Sequence, residues 1–195
     1  MKLNLKAAIE SLLHGFQNRG EDESGDGPVS IVLLLREPRF LTLEQLRLAG
    51  ERAFGVQFSE ETSARDFVIQ KVLFTLMKAG PHTLSFLNYT KPYGAERAAE
   101  FASRMSQPGQ RQAWVAHTAW TAIDYVKGGA RLDLEYAVLS KLCSEMVDGN
   151  CLGVYLPREQ MMVPHGEKLL PYLRRVGSAV PLGLGQAQDR SGTVH

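Results

Sequence analysis

The sequence predicts an α+β fold in the order β-α-β-β-α-β-α-β. This is a ferredoxin-like split βαβ arrangement with one more helix and strand, preceded by an N-terminal helix. Three observations predict it. Two runs, VSIVLLL from Val29 and QAWVAHTAWTAIDYV over 112–126, are apolar on both alternating faces, as strands covered on both sides must be. Segments between the extended runs carry apolar residues at helical spacing, one of them behind a capping box. Clusters of Gly, Pro, Asn and Asp separate the elements. On this reading the sheet is mixed, its helices lie on one face, and 29–35 and 113–126 occupy its middle. The second face then needs cover from the C-terminal segment, the N-terminal helix or another subunit.

Leu5, Ile9, Leu12, Leu13 and Phe16 recur at helical spacing, predicting an amphipathic arm over 1–19. The linker 20–28, GEDESGDGP, is acidic and Gly-rich and has little apolar surface to bury. The domain spans 29–175. Its first strand stops at Arg36-Glu37-Pro38, and Thr42 with Gln45 opens a helix that Gly55 closes. A strand over 67–77, a stretch that also fits a short buried helix, and an extended run over 83–90 flank Ala79-Gly80-Pro81-His82, which predicts a hairpin. Ala98, Phe101, Ala102 and Met105 predict a helix ended by Pro108-Gly109. The run to residue 126 is read as one central strand, closed by Gly128-Gly129. Asp133 is the expected N-cap of a helix carrying Leu134, Val138, Leu142 and Met146. CLGVYLP from Cys151 is the last clear strand, His165 to Arg175 predicts a short helix, and 176–195 reads as a loose tail.

Composition narrows the function classes. The 22 basic and 21 acidic side chains leave a net charge of +1, without the basic excess of a nucleic-acid-binding surface. No apolar run approaches the ~20 residues of a membrane span, so a cytoplasmic protein is expected. Cys143 and Cys151 fit neither a zinc knuckle nor a C-x-x-C pair, and sparse cysteine suits a reducing compartment. No phosphate-binding loop or nucleophile elbow occurs. His82, His117, His165 and the cysteines lack ligand spacing, so neither a metal nor a cofactor is expected.

The opening strand with its capped helix, Pro92-Tyr93 after an extended run, His117-Thr-Ala-Trp120, and the helix leading to Cys151-Leu-Gly-Val-Tyr-Leu-Pro157 resemble a family of bacterial domains of unknown function over roughly residues 29–175. The resemblance implies a bacterial cytosolic domain and brings no activity or functional residue with it.

His117 is the first candidate for chemistry. Placed mid-strand, it points into a packed layer, where a base, a ligand or a satisfied core histidine would each fit. Asp124 falls on the opposite strand face and is no partner for it. Trp114 and Trp120, six apart, share a strand face and offer either a stacking platform or core packing. Tyr125 is a candidate wall of the same pocket. The expected function is a non-enzymatic protein-interaction or self-association domain, a homodimer through its arm or open sheet face. The alternative is a small-molecule-binding domain or enzyme with its pocket near His117.

Overall fold

The computed structural model describes residues 28–70, 75–128 and 131–179; the arm over 1–19, the linker short of Pro28 and the tail beyond residue 179 lie outside the described residues. Ser30–Leu35 (β1) is β-branched and leucine-rich and is buried along its whole length. Ala119–Lys127 (β5) and Cys151–Leu156 (β6) flank it, both antiparallel. With Phe67–Gln70 (β2), Thr75–Ala79 (β3), His82–Tyr89 (β4) and Met161–Pro164 (β7), the sheet runs β2-β3-β4-β5-β1-β6-β7. The two doubly apolar runs therefore supply adjacent interior strands.

The expected mixed sheet is corrected, because every pair of named strands is antiparallel. A tight connection such as Gly80-Pro81 joins neighbours and forces them antiparallel. The long crossover from β5 to β6 passes over β1, so strands running the same way are never adjacent. The single strand expected over 67–77 is two, β2 and β3, paired with each other.

Leu43–Phe54 (α1) forms as its caps dictate. Thr42 Oγ1 accepts the Gln45 N–H, Gln45 Oε1 accepts the Thr42 N–H, and Gly55 at φ 68° ends the helix. Leu132–Met146 (α4) begins earlier than expected: Arg131 is the N-cap, and Asp133 sits in the first turn, accepting from the Leu134 N–H. Leu169–Ser178 (α5) follows β7, a strand absent from the expected order, and it runs past residue 175. These three helices pack on one sheet face against Ile31, Leu33, Leu35 and Ile123.

The expectation of helices on one face is also corrected. Ala98–Arg104 (α2) and Pro108–Ala116 (α3) place Phe101, Ala113 and Trp114 on the second face, against Val32, Leu34, Trp120, Ala122 and Tyr155. Residues 113–116, expected as the start of a long central strand, instead end a helix that begins at Pro108, where Pro108 occupies the first helical turn and Gln107 with Gln110 closes a capping box. The run is apolar all round, so its periodicity alone fits both states. At the β7 edge, Gln110 Nε2 donates to the Met162 carbonyl at 2.7 Å and Pro164 has no N–H to offer, which blunts pairing with another strand.

Candidate functional site: an aromatic cleft

His117 lies at the joint between α3 and β5, correcting its mid-strand placement. Its backbone is extended at φ −73°, ψ 140°, which breaks the helix from the strand. Its Nδ1–H donates to the Trp114 carbonyl, and its Nε2 accepts the Tyr93 N–H at 2.8 Å. A carbonyl can only accept, so these partners select the neutral Nδ1–H tautomer. Burial holds the imidazole below its ordinary pKa, against the pull of the two backbone bonds. Both nitrogens are thus engaged, and what His117 does is tie the loop after β4 to the end of α3.

That loop carries the cleft. Tyr89 ends β4 opposite Trp120 of β5, and the two rings stack with centroids 4.5 Å apart and planes 12° apart. Lys91-Pro92 then turns the chain so that Tyr93 meets Trp120 edge-on, at 5.1 Å and 86°. Gly94 at φ 61° leads into a 3₁₀ turn, Ala95–Arg97, and then into α2. A cavity of about 370 Å³ opens among Leu87, Tyr89, Tyr93, Phe101 and Trp120, with Lys91, Glu96 and Arg97 on its lining. Arg97 lies over the Phe101 ring at 5.3 Å and is gripped through two nitrogens by Glu100, at 2.8 and 2.9 Å.

The two tryptophans expected on one strand face stand on different elements. Tyr93 bridges them, edge-on to Trp114 at 6.2 Å and to Trp120 at 5.1 Å. Trp120 lines the cleft. Trp114 is fully buried behind it among Phe101, Tyr155 and His117, and its Nε1 has no hydrogen-bond partner among the described residues. Tyr125 is on the other sheet face, where its hydroxyl meets His82 Nδ1 at 2.5 Å and burial pushes its pKa up. It is no wall of the cleft.

Two features left fainter traces in the sequence. Tyr89 and Tyr93 flank Lys91-Pro92, and paired aromatics on either side of a turn were the available signal. Asp124 is completely buried at the centre of the sheet, accepting from Ser30 Oγ at 2.7 Å and from Ser85 Oγ at 3.2 Å. A lone carboxyl in an apolar run, with isolated serines in two other apolar runs, pointed to such a row. Among the described residues there is no group of three or more His, Cys, Asp or Glu able to hold a metal ion, and no helix long and apolar enough to cross a membrane. No protein-family model, curated protein or solved structure matches the chain.

Proposed function

We propose that the chain is a non-enzymatic binding domain that takes a planar, ring-bearing small molecule in the Tyr89–Tyr93–Trp120 cleft. The observation that carries this reading is the pairing of a half-exposed Tyr89 ring, stacked on Trp120, with a cavity of about 370 Å³ beside it. A ring presented flat at a pocket mouth recognises another ring by stacking, a contact worth about 1–3 kcal/mol. The non-enzymatic part rests on His117, whose nitrogens are both bound to backbone, and on two cysteine thiols that burial raises away from the reactive thiolate. Of the two expectations, a small-molecule pocket near His117 has this geometry behind it, since His117 holds the backbone of Tyr93. A cytoplasmic setting belongs to the same proposal, supported by two free, buried cysteines.

We read the core as ferredoxin-like. β1, α1, β4, β5, α4 and β6 follow the split βαβ order and stand in space as β4-β5-β1-β6. The β2–β3 pair is then an insertion before β4, and α2–α3 an insertion between β4 and β5 that builds the cleft.

Benzamide and its non-planar counterpart cyclohexanecarboxamide test the proposal by saturation-transfer NMR on the full chain. Benzamide is expected to receive saturation, cyclohexanecarboxamide to receive little, and Tyr89→Ala to abolish the difference. Equal transfer to both probes in the wild type overturns recognition by stacking.

A further inference from the structure

We infer that the ligand of the cleft is a ring-bearing zwitterion of the aromatic α-amino acid class, its carboxylate met by Lys91 and its ammonium by Glu96. The inference rests on the ring-binding cleft proposed above and names what that cleft takes. The charged residues on the cleft's lining are Lys91, Glu96 and Arg97. Arg97 is already engaged: Glu100 holds it through two nitrogens, at 2.8 and 2.9 Å, and its guanidinium lies 5.3 Å from the centre of the Phe101 ring. Glu100 also takes Arg104, so the ion pairs beside the cleft close among these three residues. Lys91 and Glu96 stay outside them. Both are exposed, and among the described residues neither enters an ion pair or a side-chain hydrogen bond. Apart from the engaged Arg97, the cleft therefore sets one unmatched cation and one unmatched anion on a lining that is otherwise aromatic and apolar.

A ligand complementary to this lining has three parts. Its ring stacks on Tyr89, which rests on Trp120 and is 47% exposed, beside a cavity of about 370 Å³ that suits a small molecule. Its two charged groups answer Lys91 and Glu96. Both residues belong to the connection from β4 to α2: Lys91 lies two residues beyond Tyr89, and Glu96 lies in the 3₁₀ turn after Gly94. His117 anchors that connection between them by accepting the Tyr93 N–H at 2.8 Å, so one held segment carries both charges. Any other charge pattern leaves one of them unanswered. A ring-bearing anion meets Glu96 unmatched, a ring-bearing cation meets Lys91 unmatched, and a neutral ring uses neither. Since both side chains stand in water, each contact contributes only about two- to fivefold in affinity, and the ring supplies the rest.

The test uses the full chain and four probes that share one phenyl ring. They are phenylalanine, phenylalaninamide without the carboxylate, N-acetylphenylalanine without the ammonium, and N-acetylphenylalaninamide without either. Dissociation constants are read from the Trp120 indole N–H shift at about pH 6.5, where free amino groups are protonated. Phenylalanine is expected to bind about two- to fivefold more tightly than either singly blocked probe, and the neutral probe most weakly. Lys91→Gln is expected to erase the difference between phenylalanine and phenylalaninamide, and Glu96→Gln that between phenylalanine and N-acetylphenylalanine. Both side chains are exposed, so the variants keep the fold. Equal affinity for all four probes overturns this inference and leaves recognition of the ring standing. Tightest binding by N-acetylphenylalanine or by phenylalaninamide also overturns it, and gives the cleft to a ring-bearing anion or cation. No binding by any of the four overturns it as well, and benzamide in the same sample then shows whether recognition of the ring has failed with it.

Discussion

Replacing His117 with alanine tests the clip that holds the cleft loop. The substitution removes two hydrogen bonds, to the Trp114 carbonyl and from the Tyr93 N–H. Each contributes about 1 kcal/mol net, and each backbone group left without a partner in a buried setting costs about 1–3 kcal/mol more. The Trp114 carbonyl ends a helix and the Tyr93 amide sits in a half-buried loop, so water relieves part of that cost. A destabilisation of about 3 kcal/mol results, a large share of the ~5–15 kcal/mol typical of a domain. The sign with pH is fixed by burial. The folded imidazole has its pKa lowered, so the unfolded chain binds the extra proton. The stability this group contributes is complete above the unfolded value near 6.5 and falls as pH drops towards the folded value, with a limiting slope of about 1.4 kcal/mol per pH unit. Urea unfolding followed by circular dichroism at pH 7.5 and 5.0 should show the gap between wild type and His117→Ala narrowing at the lower pH. A gap that is constant or widens on acidification would refute the assignment of a neutral, doubly bonded imidazole.

Other sites yield outcomes of their own. Gly128→Ala is expected to destabilise by more than about 2 kcal/mol in the same unfolding assay, because at φ 118° an added Cβ would sit 2.1 Å from the Pro81 oxygen; a loss under 0.5 kcal/mol would contradict that packing. Asp124→Ala should cost about 2–4 kcal/mol by removing the acceptor of the Ser85 hydroxyl and leaving Ser30 Oγ the Pro28 carbonyl at 3.1 Å, and Ser85→Ala about 1 kcal/mol. Similar losses for the two variants would place the carboxyl outside the centre of that row. Cys143 and Cys151 should resist a thiol reagent at pH 8 until the chain unfolds, since burial drives both pKa values up, that of Cys151 to about 11; reaction with the native protein at the rate of a free thiol would count against it.

How far the fold could be read in advance depended on where each cause lies in the chain. α1 was legible because its start, stripe and stop are local: Thr42, Gln45, Leu46 and Gly55 lie within one segment. β1 was legible because an apolar, β-branched run has one good home. The stretch 113–126 was not, because its helical start and its strand are equally apolar. Two features that hydrophobic periodicity does not display separate them: the capping box of Gln107 with Gln110, and the ring of His117, bonded back to the Trp114 carbonyl and across to the distant Tyr93 N–H. β7 escaped notice because four residues ending in proline carry too little pattern to register as a strand. In the site, Trp120 was named from its chemistry, whereas Tyr89 and Tyr93 become partners only once β4 pairs with β5 and His117 fixes the loop. Asp124 was read only as no partner for His117, and its own partners came from the strands on either side.

The central claim is that the aromatic cleft binds a planar ring, and the indole N–H signals of the two tryptophans report on it within one ¹⁵N spectrum. Trp120→Phe assigns the pair. Titration of the full chain with benzamide is expected to move the Trp120 signal saturably and leave that of the enclosed Trp114 nearly in place. A Trp120 signal that stays still up to the solubility limit of benzamide, or one that moves equally with cyclohexanecarboxamide, would contradict the account.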